Sequence, residues 1–104
     1  MLGSVERITP EDAEKCLQQD RSLIVLDVRI NTEVKGGKIP GARNIPLQEL
    51  PNRINEMAKD KEYICVCRSG NRSGKAAKFL KKKGYKVKNM SGGMMNWKGK
   101  VKRI

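Results

Sequence analysis

Two apolar runs frame this chain, Leu23 to Val28 (LIVLDV) and Tyr63 to Val66 (YICV). The first is almost unbroken in aliphatic and β-branched residues, the pattern of a strand covered on both faces in a parallel sheet. The second also favours strand, and it delivers Cys67 to a turn rich in Arg, Ser and Gly. That stretch therefore reads as strand, loop and helix start. Weaker strand signals flank the two runs. Ser4 to Ile8 and Ala42 to Pro46 are short candidates, and Tyr85 to Met90 alternates apolar with polar residues, as a strand with one wetter face does.

Between these segments the apolar period lengthens to about 3.6 residues. Thr9 is placed to cap a helix that starts at Pro10, with Ala13, Cys16 and Leu17 on one face. Cys16 is expected there as a small core residue, since free cysteine is among the most buried types. Leu47, Leu50, Ile54, Met57 and Ala58 fit one face of a second helix, whose first turn Pro51 makes irregular. Ser73 to Lys83 predicts a third helix, with Ala76, Ala77 and Leu80 inward, Phe79 beside them and Lys75, Lys78 and Lys82 outward; Gly84 closes it. A last short helix carries Met94, Met95 and Trp97, read as core or lid packing. From Arg29 to Pro40 no period is visible, and Gly36-Gly37 and Pro40-Gly41 mark loop and turn. Strands alternating with helices predict an α/β fold around a parallel sheet, in which ligands bind beyond the carboxyl ends of strands. Asp27, Arg29 and Cys67 all fall at such ends.

At 104 residues the chain suits one domain, 1–104, with one core. No apolar run is long enough to span a bilayer, and MLGSVERITP lacks the basic-then-apolar order of a secretory signal. A cytoplasmic protein with reduced thiols is expected. Its three cysteines are an odd count, and Cys65 and Cys67 lie too close along one strand for an easy disulfide. Histidine is absent, which excludes Cys-His and Ser-His-Asp nucleophile pairs and histidine switches within the chain. Three cysteines without histidine make a poor zinc site, so neither metal nor cofactor is expected. Any nucleophile must be activated electrostatically. A net charge of +12 concentrates anions near the surface. The lysines are evenly spread, only one Trp, two Tyr and one Phe are present, and no RNA-binding motif is recognisable, so specific nucleic-acid binding is not expected. The basic tail KGKVKRI reads as a solvated terminus.

Candidate chemistry concentrates at Cys67. A thiol there would lie beneath free backbone N–H groups at the positive end of a helix, surroundings that favour an anion. Such settings lower a cysteine pKa from about 8.5 to between about 3.5 and 7.5. The loop reads C-R-S-G-N-R-S, with Arg72 five positions after Cys67, a ring of six residues around an anion-sized space. Cysteine phosphatases need the arginine one position later, where Ser73 stands, and usually a histidine where Val66 stands. The tighter ring suits a single sulfur atom better than a tetrahedral phosphate.

In this loop and three further segments the chain resembles the rhodanese (thiosulfate sulfurtransferase) family, single-domain type. The segments are Asp27-Val28-Arg29 with Glu33, Gly37 to Ala42 followed by Asn44-Ile45-Pro46, and Gly92-Gly93-Met94 with Trp97. The resemblance implies a parallel five-stranded sheet with helices on both faces. It also implies a sulfurtransferase working in two steps through a Cys67 persulfide, fed by thiosulfate or a persulfide and drained by cyanide or a cellular thiol. Backbone N–H groups of Arg68, Ser69, Gly70, Asn71, Arg72 and Ser73 would hold the charged sulfur, and the Arg68 and Arg72 side chains would attract the sulfonate. Asp27, Arg29 and Glu33 read as a polar cluster bracing the loop, and Cys65 as a buried strand residue. The implied partners are a small anionic sulfur donor and a thiol or protein acceptor, with no membrane; a monomer is expected. The same resemblance admits a sulfur carrier or interaction module without turnover. Lys38 stands where the family usually has histidine, and Val34 where an aromatic usually follows the glutamate. Both lie outside the loop and are expected to change packing and access, not the nucleophile.

Overall fold

The computed structural model describes residues 4–104 and contains five strands: β1 (Arg7–Ile8), β2 (Ile24–Asp27), β3 (Arg43–Asn44), β4 (Glu62–Val66) and β5 (Lys86–Met90). They form one sheet in the order β1-β5-β4-β2-β3, with every neighbouring pair parallel. The two apolar runs are the central neighbours: Ile24 lies opposite Tyr63, and Asp27 opposite Val66. Parallel pairing needs crossovers, supplied by α1 (Pro10–Gln19), α2 (Asn31–Lys35), α3 (Leu50–Arg53) and α4 (Asn71–Lys82).

Alternation along β2 and β4 divides the core between the two faces of the sheet. Leu26, Tyr63 and Cys65 pack with Leu50 of α3 and with Ala76, Ala77 and Leu80 of α4. Val25, Ile64 and Val66 pack with Ala13 of α1, and with Met94 and Trp97. Helices thus cover both faces, as the resemblance implied. Each fully buried Leu or Ile stabilises the fold by about 1.5–3 kcal/mol. From β2 the chain moves outward to β3, and from β4 it moves outward the other way to β5. The carboxyl ends of β2 and β4 therefore flank the switch point where ligands collect in such sheets.

Several elements differ from expectation for local reasons. Residues 47–58 do not form one helix. They form a 3-10 turn (Leu47–Glu49), α3 and another 3-10 turn (Ile54–Glu56), because Pro51 lacks an N–H to continue the helical ladder. Helix α2 occupies part of the segment expected to be loop. Five residues with one buried apolar side chain, Val34, are too few to show a period, and the helix is fixed by the Ile30 N–H donating to Glu33 Oε1 at 3.2 Å. Helix α4 starts at Asn71 rather than Ser73, since Gly70 makes the turn. Both β1 and β3 shrink to two residues. Helix α1 begins as expected, with the Asp12 N–H donating to Thr9 Oγ1 at 3.1 Å, but Cys16 is only half-buried and Ala13 fills the core position. Met95, expected in the core or a lid, is 67% exposed. The tail is exposed, as expected, and Lys102 also exchanges backbone hydrogen bonds with Lys38 at 2.8 and 2.9 Å. Among the described residues no helix is long and apolar enough to cross a membrane.

Candidate active site at the end of the central strand

Residues Tyr63 to Cys67 are all buried, and the chain leaves the sheet at Cys67. Arg68 and Ser69 are exposed. Gly70 then adopts a left-handed φ of 101°, which lets the chain reverse and begin α4 one residue later. The reversal aims the Gly70 N–H at Cys67 Sγ, 3.1 Å away. Ser73, in the first turn of the helix and buried, brings its Oγ to 3.2 Å from the same sulfur. Burial is the strongest influence on the Cys67 thiol and pushes its pKa up. The Ser73 hydroxyl and N–H, the Gly70 N–H and the Ser69 N–H all pull it down, and together they prevail, so it titrates below its ordinary value. Cys65, two residues back on the same face, receives no such help. Burial, and secondarily the charge of Cys67, pushes its pKa up to about 12, so it stays a thiol.

The segment after β2 braces this loop. Asp27 and Arg29 form a buried ion pair, with Nη2 at 2.8 Å from Oδ2 and Nε at 3.0 Å from Oδ1. Arg29 Nη2 also donates to the Gly37 carbonyl at 2.8 Å, while Asn44 donates to the Asp27 and Arg29 carbonyls. Asp27 and Arg29 thereby shape the turn that presents Glu33. Glu33 accepts both terminal nitrogens of Arg72, at 2.7 and 2.8 Å. That hydrogen bonding, partly opposed by burial and aided by the Ile30 N–H, lowers the Glu33 pKa to about 2. The geometry gives Arg72 a role beyond anion attraction, because its guanidinium is committed to Glu33. Arg68 makes no ion pair among the described residues, and Asn71 is exposed.

A third segment closes the loop from the far side. Met94 N–H donates to the Cys67 carbonyl at 2.8 Å and Met95 N–H to the Arg68 carbonyl at 3.0 Å. Gly93 lies so close that a Cβ there would sit 2.6 Å from the Cys67 carbonyl oxygen and closer still to that of Arg68. Lys38 donates from Nζ to the Ala42 carbonyl at 3.0 Å and Val34 is buried, so neither departure from the family pattern touches the sulfur. Two surface hollows, of about 350 and 310 Å³, lie against α1 and α3, and no residue from 67 to 73 lines either. The backbone N–H groups of the loop and the Ser73 hydroxyl form a cradle around the one sulfur atom.

One contributor escaped the sequence reading. Asn89 on β5 is buried and bonds both Ser73 and Gly70. Strand alternation places it on the face of Tyr85 and Val87, and an amide at a core position is a readable signal.

The rhodanese-like domain model matches residues 9–100. The chain is 38% identical to "Putative sulfurtransferase YtwF" of Bacillus subtilis over 94% of this chain and 95% of that protein. It is 40% identical to "Putative sulfur carrier protein YrkF" of the same organism, over 95% of this chain and 54% of that protein. A crystal structure of a rhodanese-like domain protein from Staphylococcus aureus superposes with a TM-score of 0.89 at 30% identity, covering 96% of this chain and 99% of that one. A cysteine cradled at the switch point of a five-stranded parallel sheet, found together with this likeness over nearly the full chain, places the protein in the rhodanese-like family of sulfurtransferases and sulfur carriers.

Proposed function

We propose that the protein is a thiosulfate or persulfide sulfurtransferase that works through a Cys67 persulfide. The observation that carries this reading is the Gly70 N–H donating to Cys67 Sγ at 3.1 Å at the start of α4, in a setting that lowers the thiol pKa. The Cys67 thiolate attacks the outer sulfur of thiosulfate. A new S–S bond forms, the old one breaks, and sulfite leaves with the bonding electron pair. Cyanide or a thiolate then attacks the outer sulfur of the persulfide, departs as thiocyanate or a new persulfide, and returns Cys67 as thiolate. The N–H groups of the loop stabilise the negative sulfur at each stage, a preorganised arrangement of the kind that supplies several kcal/mol in enzymes. Arg68, exposed and without an ion-pair partner among the described residues, draws the anion in, while Arg72, neutralised by Glu33, braces the loop. Cys67 is buried beneath the exposed Arg68 and Ser69, which stand between it and solvent.

Incubation with thiosulfate should make the intact protein one sulfur atom heavier, and Cys67→Ser should abolish both this gain and thiocyanate formation. A serine variant that still turned over thiosulfate would refute the assignment. The carrier reading is favoured by the name of the Bacillus relative YrkF. It predicts slow turnover with cyanide beside rapid, saturable transfer from the loaded protein to one protein thiol.

A further inference from the structure

Asn89 takes no part in the reaction just described, yet both ends of its amide are committed within the site. Nδ2 donates to the Gly70 carbonyl at 3.1 Å, and Oδ1 accepts the Ser73 hydroxyl at 2.6 Å. A carbonyl can only accept, so Gly70 fixes which way the amide faces and leaves an acceptor toward Ser73. Ser73 Oγ is also 3.2 Å from Cys67 Sγ. A hydroxyl has one proton. While Cys67 is a thiol, all the bonds coexist: S–H to Ser73, Ser73 to Asn89, Asn89 to Gly70. Once Cys67 is a thiolate it can only accept, and the single Ser73 proton must leave Asn89 to serve it.

We propose that Asn89 is a positioning residue that holds the Ser73 proton away from Cys67 until the thiolate forms, so that ionisation costs one hydrogen bond and Asn89 limits how much thiolate the resting protein carries. The Cys67 proton passes to solvent. The Ser73 proton stays on its oxygen and swings about the Cβ–Oγ bond, and no bond between heavy atoms changes. The charged and titratable groups around the sulfur are Arg68 in the loop, Arg72 of α4 with its partner Glu33, the Asp27–Arg29 pair at the end of β2 and the protonated Cys65 of β4. On β5, Lys88 is engaged with Glu6 and Glu62. None of them hydrogen-bonds Ser73 or the Asn89 side chain, so substitution at Asn89 leaves them in place. Gly70 keeps a partner as well, because its carbonyl also accepts the Gly74 N–H at 3.1 Å.

The inference takes Cys67 as the nucleophile of the proposed reaction, but it is tested without any sulfur donor. The Cys67 pKa is read from the pH dependence of alkylation by iodoacetamide, with the modified residue located by peptide mass. Asn89→Ala should lower that pKa by about half to one unit, the size of one net hydrogen bond, and Ser73→Ala should raise it. Asn89→Leu fills the space, keeps water out and should also lower it. Adding Asn89→Ala to Ser73→Ala should change nothing further, because no hydroxyl proton remains to be released. A purely structural Asn89 would move the pKa in the same direction as Ser73→Ala. That result, no shift at all, a shift that persists in the Ser73→Ala background, or loss of fold in both Asn89 variants would overturn the proposal. Failure of the parent protein to gain sulfur from thiosulfate would instead defeat the proposed function while leaving this order of pKa values intact.

Discussion

Glu33 grips both terminal nitrogens of Arg72, which lies 39 residues further along the chain, at 2.7 and 2.8 Å. The pair joins the segment after β2 to the loop after β4 across the switch point of the sheet, and it holds the first turn of α4 in register with the sulfur.

This pair should make stability depend on acid. The Glu33 pKa is lowered from 4.5 to about 2, chiefly by the Arg72 hydrogen bonds. A carboxyl whose folded pKa lies below its unfolded value stabilises fully above the unfolded value, and that contribution is lost as pH falls through the folded one. The window is therefore from about 4.5 down to about 2. The side chains are 27% and 35% exposed, so solvent screening leaves the pair worth about 1 kcal/mol. Glu33→Gln should lose about that much in urea unfolding at neutral pH and match the parent near the acid end of the window. A deficit independent of pH would count against the pair.

The Gly93 contact makes a steric prediction. Its φ of 62° and ψ of −161° belong to a region open essentially to glycine alone, and an added Cβ would meet the Cys67 and Arg68 carbonyls. Gly93→Ala should cost about 2–3 kcal/mol and slow alkylation of Cys67, because relief of the clash must shift the loop. A variant that melts with the parent would show that the backbone has room to yield.

What the sequence revealed and what it hid follow from the range of each interaction. The long apolar runs announced β2 and β4 because burial on both faces keeps Leu23 to Leu26 and Tyr63 to Val66 free of charged residues, which fall only at the strand ends, as Glu62 and Asp27 do. Cys67 and the loop through Ser73 were legible because turn chemistry and a helix start are written in adjacent residues. Helix α2 was not, since its capping depends on one carboxylate and its burial on Val34 alone. The partner of Arg72 could not be read from spacing, because Glu33 reaches it only after β2 and β4 have paired. Asn89 acts on Ser73 across 16 residues of sequence for the same reason.

The two neighbouring thiols should separate by pH. Cys67 titrates below its ordinary value and Cys65 at about 12. In folded protein, alkylation should reach Cys67 at pH values where Cys65 is untouched, and peptide mass should place the label. A group whose folded pKa is raised binds its proton longer in the folded state, so between about 9 and about 12 Cys65 withdraws stability as pH rises. The slope from this one group is about 1.4 kcal/mol per pH unit. Cys65→Ala should remove that component, and a parent and variant that lose stability in parallel over this range would contradict it.

The two arginines of the loop should divide binding from bracing. Arg68 is exposed and without an ion-pair partner among the described residues, whereas Arg72 is spent on Glu33. Arg68→Ala should raise the KM for thiosulfate about twofold to fivefold, as expected for one screened surface charge, and leave stability within about 0.5 kcal/mol. Its effect should shrink with added salt, since screening acts within about 10 Å at 0.1 M. Arg72→Ala strands the partly buried Glu33 carboxylate and frees the first turn of α4. It should cost about 1–3 kcal/mol of stability and lower kcat more than it raises KM, because the N–H groups that hold the sulfur lose their alignment. Steady-state thiocyanate formation with urea unfolding separates the two. If Arg68→Ala leaves KM unchanged and Arg72→Ala alone raises it, the division fails and Arg72 rather than Arg68 meets the incoming anion.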